Sequence, residues 1–290
     1  MEPVIIKIQA GLGNQLFQYA LGRSLELSHG LKAVFDTSWF LTQKKREYDL
    51  GHFRCKVTFA DTAAVHKLQR YQKRPGLRNF LNNLFFADPK RYVVEVGFSF
   101  HPEILSLTGP SYLDGFWQSE KYFINVAQHI REECTLAETP DAANAKLLFA
   151  IQNSPAIALH VRRGDYVSEK HTNAFHGTSS LDYYQAAVKH IQSVEPNGRI
   201  FVFSDDVKWA KENLRLSLPT YFVDINPPNK GYLDLCLMAA CRHHIIANST
   251  FSWWGAWLAE NQKQIVIAPK QWFQSSLDAS DLVPARWIRM

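Results

Sequence analysis

The sequence predicts an α/β protein built from two doubly wound domains with parallel sheets. Runs rich in β-branched residues alternate with segments of helical spacing, most clearly after Pro155. The chain also opens with a strand at 4–9, a glycine turn, a helix at 14–28 that Gly30 ends, and a strand at 31–35. That order is a βαβ unit, which implies parallel strands joined by a right-handed crossover.

The remaining elements follow from the same patterns. Strands are predicted at 91–96, 111–114, 156–161, 199–204, 220–224, 244–247 and 264–268. Helices are predicted at 64–84, 119–134, 180–194, 207–214, 232–241 and 251–260. Prolines interrupt the pattern between 135 and 155, so we expect one domain at 1–150 and a second at 151–290.

Composition excludes several classes of protein. Of 290 residues, 46% are apolar and 20% are charged, which is typical of a globular chain. Four cysteines without a CxxC pair argue against zinc and against a disulfide framework. No stretch of about 18 uninterrupted apolar residues is present, so we expect a cytoplasmic protein.

The net charge of +5 is mild, and its densest basic run is 67–78. A solvated helix face and loop explain that run best, whereas contact with anionic lipid headgroups of a membrane or with nucleic acid is the functional alternative. No nucleic-acid-binding module accompanies the charge, so we expect no nucleic-acid partner.

A glycine turn separates the first strand from the first helix. Gly11 and Gly13 allow the backbone to approach a ligand there, and Asn14 follows where its amide could contact that ligand. Residue 16 is Leu, so the dinucleotide fingerprint GxGxxG is absent and a dehydrogenase is disfavoured. The alternative is a tight turn with Asn14 as helix N-cap.

Charged residues follow the apolar strand at 156–161. His160 and Arg162 share one side of that strand by alternation, and Arg163 points to the other. One arginine suits a diphosphate, while the other could pair with a carboxylate such as Asp165. Open α/β sheets bind ligands at the carboxyl ends of their strands, which favours a site over a plain surface salt bridge.

Two further strands end in aspartates. Asp205 and Asp206 are adjacent and project differently, so they make a poor metal chelate. One of them suits a helix N-cap, and the other could accept hydrogen bonds from a nucleoside. Asp224 could accept two hydrogen bonds from guanine, or could form a turn before Asn226-Pro227-Pro228.

The last polar segment lies between a strand and a helix. Hydroxyls and backbone N–H groups converge at this helix start and suit phosphate oxygens, from Asn248, Ser249, Thr250, Phe251 and Ser252. Tryptophans follow at helical spacing and are expected in the core, namely Trp253, Trp254 and Trp257.

Together these segments resemble the bacterial α-1,2-fucosyltransferases of glycosyltransferase family 11. The blocks GLGNQLFQYA, HVRRGDY, FSDD and NSTFSWWGAWL stand in the order typical of that family. FDTSWF at 35–40, GFWQSEKYF at 115–123 and HG at 176–177 extend the resemblance. It spans about residues 4–288, and the ordered set of blocks is highly specific.

The resemblance implies a GT-B fold, with two Rossmann-like domains facing a cleft, and an inverting, metal-independent enzyme without a cofactor. Its donor substrate would be GDP-fucose. His160 and Asp224 would hold guanine, Arg162 the β-phosphate with help from Asn14 of the other domain, and 249–252 further phosphate oxygens. The N-terminal half would hold a galactose-terminated oligosaccharide or a lipid-linked glycan, which would receive fucose on its 2-hydroxyl.

Without a metal, Arg162 must stabilise the departing diphosphate. Asp165 is the first candidate for a general base, ahead of Glu169, His176 and Asp36. Two alternatives stay open at this point. The chain could be a GT-B transferase that uses another nucleotide sugar, or a glycan- or nucleotide-binding protein without catalysis.

Overall fold

The computed structural model describes the chain in four stretches, which are residues 3–73, 88–164, 178–274 and 277–290. It folds into two compact units. The first unit is Met1–Thr135 with Ser280–Leu282, and the second is Leu136–Ala279 with Val283–Met290. The division lies at the start of the stretch in which the sequence placed the domain boundary, so residues 136–150 belong to the second unit.

The first unit contains a parallel sheet. Its strands are Val4–Lys7 (β1), Ala33–Asp36 (β2), Tyr92–Val94 (β3) and Tyr112–Asp114 (β4). They pair in the order β2-β1-β4-β3, and Ile5 of β1 faces Val34 on one side and Tyr112 on the other. The helices of this unit are Leu12–His29 (α1), Trp39–Thr42 (α2), Thr62–Gln69 (α3) and Ala127–Glu133 (α4).

Helix α1 connects β1 to β2, as the βαβ prediction requires. It ends at Gly30, whose φ of 64° is left-handed and whose N–H donates to the carbonyl of Glu26, while the Leu31 N–H donates to the carbonyl of Leu25. Glycine adopts this conformation without a steric penalty, so it is a favourable residue for ending a helix. The predicted end of the helix is therefore confirmed.

The second unit contains a larger parallel sheet. Its strands are Ala156–Val161 (β5), Arg199–Ser204 (β6), Thr220–Phe222 (β7), His243–Ile245 (β8), Val266–Ala268 (β9) and Ile288–Arg289 (β10). They pair in the order β10-β9-β8-β5-β6-β7. The helices are Ala142–Gln152 (α5), Leu181–Val194 (α6), Val207–Asn213 (α7), Gly231–Ala239 (α8) and Thr250–Leu258 (α9).

Helices cover both faces of this sheet, which is why β5 is buried along its whole length. Ile157 and Leu159 pack into a cluster with residues of α6, whereas Ala156 and Ala158 pack into a second cluster with residues of α5 and α8. Successive side chains of a strand alternate between faces, so an all-apolar strand needs a covering layer on each side. The predicted doubly wound arrangement is confirmed for this unit.

Four parts of the chain differ from the sequence prediction or lie outside the described residues. The helix predicted at 119–134 is two short 3₁₀ turns, Glu120–Tyr122 and Ile124–Val126, followed by α4. Helix α5 was taken for an interdomain linker, because Pro140 precedes it closely, and the two-residue strand β10 was missed. Of the helix predicted at 64–84, residues 74–84 lie outside the described part of the chain.

A buried ion pair holds α1 against α4. Arg23 of α1 donates from Nε and Nη2 to the two carboxylate oxygens of Glu133, each at 2.8 Å, and Tyr19 Oη donates to the same carboxylate at 2.5 Å. Burial acts to raise the pKa of Glu133, but the bonds from Arg23 and Tyr19 outweigh it and keep this pKa below its usual value. The carboxylate is therefore ionised at neutral pH.

We expect Glu133→Ala to lower the free energy of unfolding by about 3 kcal/mol, because it leaves Nε and Nη2 of the buried Arg23 guanidinium without an acceptor, while Nη1 keeps its pair with Glu26. Urea unfolding at pH 7 measures the loss. Glu132→Ala is the matched control, since Glu132 is exposed on the same helix and its loss should cost no more than about 0.5 kcal/mol. Equal losses in the two variants would contradict a stabilising role for the ion pair.

Candidate active site

Polar residues begin where β5 ends. His160 is 3% exposed and pairs in register with Phe203 of β6, and Arg162 follows directly after the strand. The carboxyl ends of neighbouring parallel strands lie at one edge of the sheet, so β6 brings its own terminal residues to the same place.

The carboxylate of Asp205 connects the ends of β5 and β6. Its Oδ2 lies 3.0 Å from Nη1 of Arg162, and its Oδ1 accepts the backbone N–H of Arg163 at 2.8 Å. Gly164 is needed beside it, because a Cβ there would lie 2.9 Å from Oδ2. The side chains of Arg162 and Asp205 are only 21% and 24% exposed, so solvent screens the pair incompletely.

This pairing differs from the expectation for Asp205, whereas the expectation for Asp165 stays a prediction. Asp205 was predicted to accept hydrogen bonds from a nucleoside, but both of its oxygens contact the segment after β5. Asp165 was the carboxylate suggested for an arginine partner, and it lies outside the described residues. A guanidinium carries five N–H donors, so an ion pair at Nη1 leaves Arg162 compatible with a second anionic ligand.

The neighbouring arginine points elsewhere, as strand alternation predicted. The Arg163 guanidinium lies over the Trp209 ring of α7, with 3.9 Å from its carbon to the ring centroid. Asp206 caps the same helix, because its side chain accepts the Trp209 N–H at 3.0 Å. Asp205 therefore contacts the segment after β5, whereas Asp206 caps α7. The N-cap expected for one of the two aspartates is confirmed.

Asp224 follows β7 and is 48% exposed on its side chain. Its Oδ2 lies 2.5 Å from Nζ of Lys211, an exposed pair that water screens. The residue before it is anchored, because the Val223 N–H donates to Val202 at 2.8 Å and the Val223 side chain is buried. Asp224 is thus an accessible carboxylate on a fixed backbone.

A network of amides anchors the segment after Asp224. Asn226 exchanges hydrogen bonds with Asn144 of α5 at 2.8 and 2.9 Å, and donates to Asp234 of α8 at 2.7 Å. Burial raises the pKa of Asp234 to about 6, although the bond from Asn226 opposes this shift. The turn predicted around Asn226 is therefore held by the two helices on that face of the sheet.

The segment after β8 places the start of α9 next to His160. Ser249 is the N-cap residue of α9, and the Phe251 ring lies against the His160 imidazole with 5.6 Å between ring centroids. Asn248 is buried and donates from Nδ2 to the Trp272 carbonyl at 3.2 Å. Thr250 is partly exposed in the first turn. Backbone N–H groups of a helix start carry partial positive charge and attract anions.

One residue of this segment faces inward. Ser252 is 0% exposed, and its hydroxyl contacts the carbonyls of Ala247 and Ser249 at 3.4 and 3.3 Å. The expected phosphate contact of Ser252 does not fit that placement, which stabilises the first turn of α9. The three tryptophans of α9 are buried as predicted, with exposed fractions of 1% or less, namely Trp253, Trp254 and Trp257.

His160 is a strongly perturbed titratable group at this edge. Burial, with a contribution from the positive charge of Arg162, lowers the pKa of His160 to about 3. The imidazole is therefore neutral at physiological pH, with one N–H donor and one acceptor nitrogen. Among the described residues, the buried Nδ1 has no hydrogen-bond partner, so a ligand group could satisfy it.

In the first unit, the backbone beside the glycine turn adopts an uncommon conformation. Ala10 has a φ of 67°, which is strained for a residue with a Cβ, and strain of this kind tends to collect at ligand sites. Gly11 is the N-cap of α1 and Gly13 is buried in its first turn. Asn14 is therefore not the N-cap considered in the sequence analysis. Its Oδ1 accepts from Nε2 of Gln118 at 2.7 Å.

Buried glutamines support this turn, and the sequence analysis missed them. Gln15 donates to the carbonyls of Ala10 and Glu47 at 3.0 and 2.8 Å. Gln18 accepts the Gln9 N–H at 2.9 Å and donates to the Gly115 carbonyl at 2.9 Å. Polar residues at buried positions of an otherwise apolar helix were the available signal.

Three candidate bases cannot be placed, because Asp165, Glu169 and His176 lie outside the described residues. Asp36, the fourth, is buried at the end of β2. It accepts from Tyr112 Oη at 2.6 Å and from the Ser38 N–H at 2.9 Å. Both carboxylate oxygens of Asp36 thus accept hydrogen bonds from residues of the first unit.

A polar pocket of about 230 Å³ opens in the second unit beside Asn248. Ser180 at the start of α6 and Lys270 and Gln271 after β9 contribute to its lining. Over the described ranges, no three or more His, Cys, Asp or Glu side chains cluster as metal ligands would. Within those same ranges, no helix is long and apolar enough to cross a membrane.

Two parallel α/β sheets in separate compact units, with polar residues at the carboxyl ends of their strands, define a protein of the GT-B fold. A solved structure of an Arabidopsis thaliana FUT1 mutant in complex with GDP has this fold. It superposes with a TM-score of 0.56 at 10% identity, over 98% of this chain and 74% of that one. The chain belongs to glycosyltransferase family 11, whose profile, Glycosyl transferase family 11, matches residues 3–290.

Relatives within bacteria cover the full chain. An Escherichia coli protein named O-antigen biosynthesis glycosyltransferase WbnK is 32% identical over 98% of this chain and 99% of its own. An Escherichia coli alpha-1,2-colitosyltransferase is 32% identical over 100% and 99%. Galactoside alpha-(1,2)-fucosyltransferase 1 of Rattus norvegicus is 29% identical over 51% of this chain and 41% of its own. The protein is a glycosyltransferase.

We expect the His160 imidazole to stay neutral from pH 8 down to pH 5, because burial and the nearby Arg162 oppose its protonation. NMR spectra of histidine-labelled protein across this range would report the charge through the ring carbon and nitrogen shifts. A His160 titration with a midpoint near the ordinary value of about 6.5 would contradict the expectation.

Proposed function

We propose that the protein transfers L-fucose from GDP-fucose to the 2-hydroxyl of a galactose-containing glycan, with inversion at the sugar carbon and without a metal ion. The name of the rat relative, a galactoside fucosyltransferase, supports both the sugar and the acceptor. The observation that carries the proposal is the Arg162 guanidinium, held by Asp205 at the tip of a buried strand. It supplies a fixed positive charge where open α/β sheets bind nucleotides.

The guanidinium of Arg162 contacts the β-phosphate in this proposal. Negative charge grows on that phosphate as the bond to the sugar breaks, and a donor already in place stabilises it without reorganisation. Asp205 is a positioning residue, since its two oxygens hold the side chain of Arg162 and the backbone of Arg163. An arginine suits this task because its planar fork matches phosphate oxygens.

His160 and Asp224 bind guanine. The neutral imidazole of His160 provides one donor and one acceptor, which fits the mixed edge of a base better than a cation would. Asp224 accepts from the ring N–H and the exocyclic amine of guanine, and in doing so exchanges its exposed pair with Lys211 for two bonds to the base. The anchored backbone on both sides of Asp224 supports that role.

Further contacts to the diphosphate come from small residues and backbone groups at two helix starts. In the second unit these are Asn248, Ser249, Thr250 and Phe251. In the first unit they are Gly13 and the side-chain amide of Asn14. The first unit also holds the acceptor.

The acceptor hydroxyl attacks the sugar carbon from the side opposite the leaving GDP, through a transition state with oxocarbenium character. A bond forms between the hydroxyl oxygen and the sugar carbon, the bond between that carbon and the GDP oxygen breaks, and a base accepts the hydroxyl proton. Asp165 remains our proposed base.

The colitosyltransferase relative supports a second candidate donor. Colitose is fucose without its 3-hydroxyl, so a site for one sugar resembles a site for the other. The O-antigen relative supports a lipid-linked repeat as the natural acceptor, which would bring a cytoplasmic enzyme into peripheral contact with the inner membrane.

We expect purified protein to release GDP and form an α-1,2-fucosyl galactoside when it is incubated with GDP-fucose, a panel of β-galactosides and EDTA. NMR of the product gives the linkage and the anomeric configuration. Parallel reactions contain GDP-colitose, or a UDP- or ADP-activated sugar, in place of GDP-fucose.

A higher kcat/KM with GDP-colitose than with GDP-fucose would identify colitose as the donor sugar instead of fucose. Product only from a UDP- or ADP-sugar would refute the guanine-binding role of His160 and Asp224. Activity that EDTA abolishes and manganese restores would refute the metal-independent mechanism.

We expect Arg162→Ala to lower kcat by roughly two to three orders of magnitude, because one fixed donor to the leaving group is lost. The KM for the acceptor should change little, since Arg162 contacts only the donor. Arg199→Ala is the matched control, because Arg199 is exposed at the opposite end of the neighbouring strand and should leave kcat unchanged. Turnover near that of the wild type in Arg162→Ala would remove the residue from the mechanism.

A further inference from the structure

The orientation of the Asn14 side chain is set by a second residue of the first unit. Gln118 lies after β4, is 7% exposed, and donates from Nε2 to Oδ1 of Asn14 at 2.7 Å. A primary amide has an acceptor end and a donor end, so a donor at Oδ1 places the NH₂ group on the other branch. Asn14 itself is partly exposed at the start of α1.

The backbone before Gln118 is in an uncommon conformation. Trp117 has a φ of 56°, although it is a bulky residue, and such a conformation costs on the order of 1–3 kcal/mol unless its surroundings enforce it. The Glu95 carboxylate enforces it by accepting the backbone N–H groups of Phe116 at 2.5 Å and Trp117 at 3.0 Å. The Trp117 side chain is fully buried, which fixes the turn further.

Gly115 is required for the same turn. A Cβ at Gly115 would lie 2.4 Å from the Cβ of Glu95 and 2.9 Å from the Trp117 ring, both closer than carbon atoms can approach. The Gly115 carbonyl accepts from Gln18 at 2.9 Å, and Gln18 belongs to α1, the helix that also carries Asn14. The turn is thus attached to α1 through Gln18 and again through Gln118.

We propose that Gln118 is a positioning residue that fixes the Asn14 amide with its NH₂ group available to the diphosphate of the nucleotide sugar. The inference rests on the proposed function, in which Asn14 donates to that diphosphate. Without that bond the amide could rotate and turn its oxygen, which repels an anion, toward the diphosphate. The strained turn at Trp117 provides the fixed donor that prevents this rotation.

Two substitutions of similar size separate polarity from packing. Gln118→Met keeps the volume but removes the donor, so we expect kcat to fall about tenfold, the worth of one neutral hydrogen bond. Gln118→Glu offers only acceptor oxygens when ionised, so it should draw the Asn14 NH₂ group toward itself. We expect it to lower kcat roughly a hundredfold, because the Asn14 oxygen then faces the phosphate.

The decisive measurement is a double-mutant cycle with Asn14→Ala. If Gln118 acts through Asn14, Gln118→Met should change kcat by less than about twofold in the Asn14→Ala background, although it costs about tenfold in the wild type. Gln128→Met is the control, because Gln128 is an exposed glutamine of α4 in the same unit and should leave kcat unchanged. Thermal unfolding of every variant reports any loss of fold.

Equal losses from Gln118→Met in both backgrounds would overturn the inference and leave the proposed function intact. An Asn14→Ala variant with wild-type kcat would overturn the inference together with the diphosphate contact proposed for Asn14, but not the transfer reaction itself. If sugar transfer is not detected but the wild type binds GDP, calorimetry measures the GDP affinity of the same four proteins. Additive effects of Gln118→Met and Asn14→Ala on that affinity would overturn the inference. If GDP does not bind either, the proposed function fails and the inference fails with it.

Discussion

The carboxylate of Asp205 is the constraint on which the strand-end site depends. It takes Nη1 of Arg162 and the N–H of Arg163 from the segment after β5, although it belongs to the segment after β6. An arginine alone at the end of a buried strand would sample many rotamers, and ordering it during catalysis would cost free energy. With Asp205 in place, that ordering is completed when the protein folds, and Gly164 leaves the room for it.

The first unit meets a similar requirement with neutral groups. Gln15, Gln18 and Gln118 connect the ends of β1 and β4 and the glycine turn through amide hydrogen bonds. A buried amide needs no counter-ion and satisfies a donor and an acceptor at once, so it can bridge backbone groups without the desolvation cost of a charge. The charged pair in the second unit and the amides in the first unit both fix polar side chains before a ligand binds.

Burial determines the chemistry of the individual groups. His160 is kept neutral by its apolar surroundings and by Arg162, so the charge at this edge comes from arginine rather than histidine. The tryptophans of α9 fill the core beneath its first turn, and Trp253 also packs against Trp287 near the C-terminus with 5.4 Å between ring centroids. This packing gives the helix start a fixed position, which the convergence of backbone N–H groups on a phosphate requires.

The sequence by itself determined the strands other than β10, the parallel topology and the edge of the sheet at which polar residues concentrate. Apolar strand runs and glycine turns are local signals, and the carboxyl ends of parallel strands lie together whatever the loops do. The same local signals misplaced α5, because a capping Asp141 after Pro140 reads equally well as a linker. They also joined two 3₁₀ turns and α4 into one helix.

Only the tertiary structure decided which polar groups meet. Gln118 contacts Asn14 across 104 residues of sequence, and Asp205 pairs with Arg162 although 43 positions separate them. Ser252 turns inward although its neighbours at the start of α9 are partly exposed. Such pairings depend on strand register and on where each turn places its side chains, and those follow from packing the whole unit rather than from any local stretch of sequence.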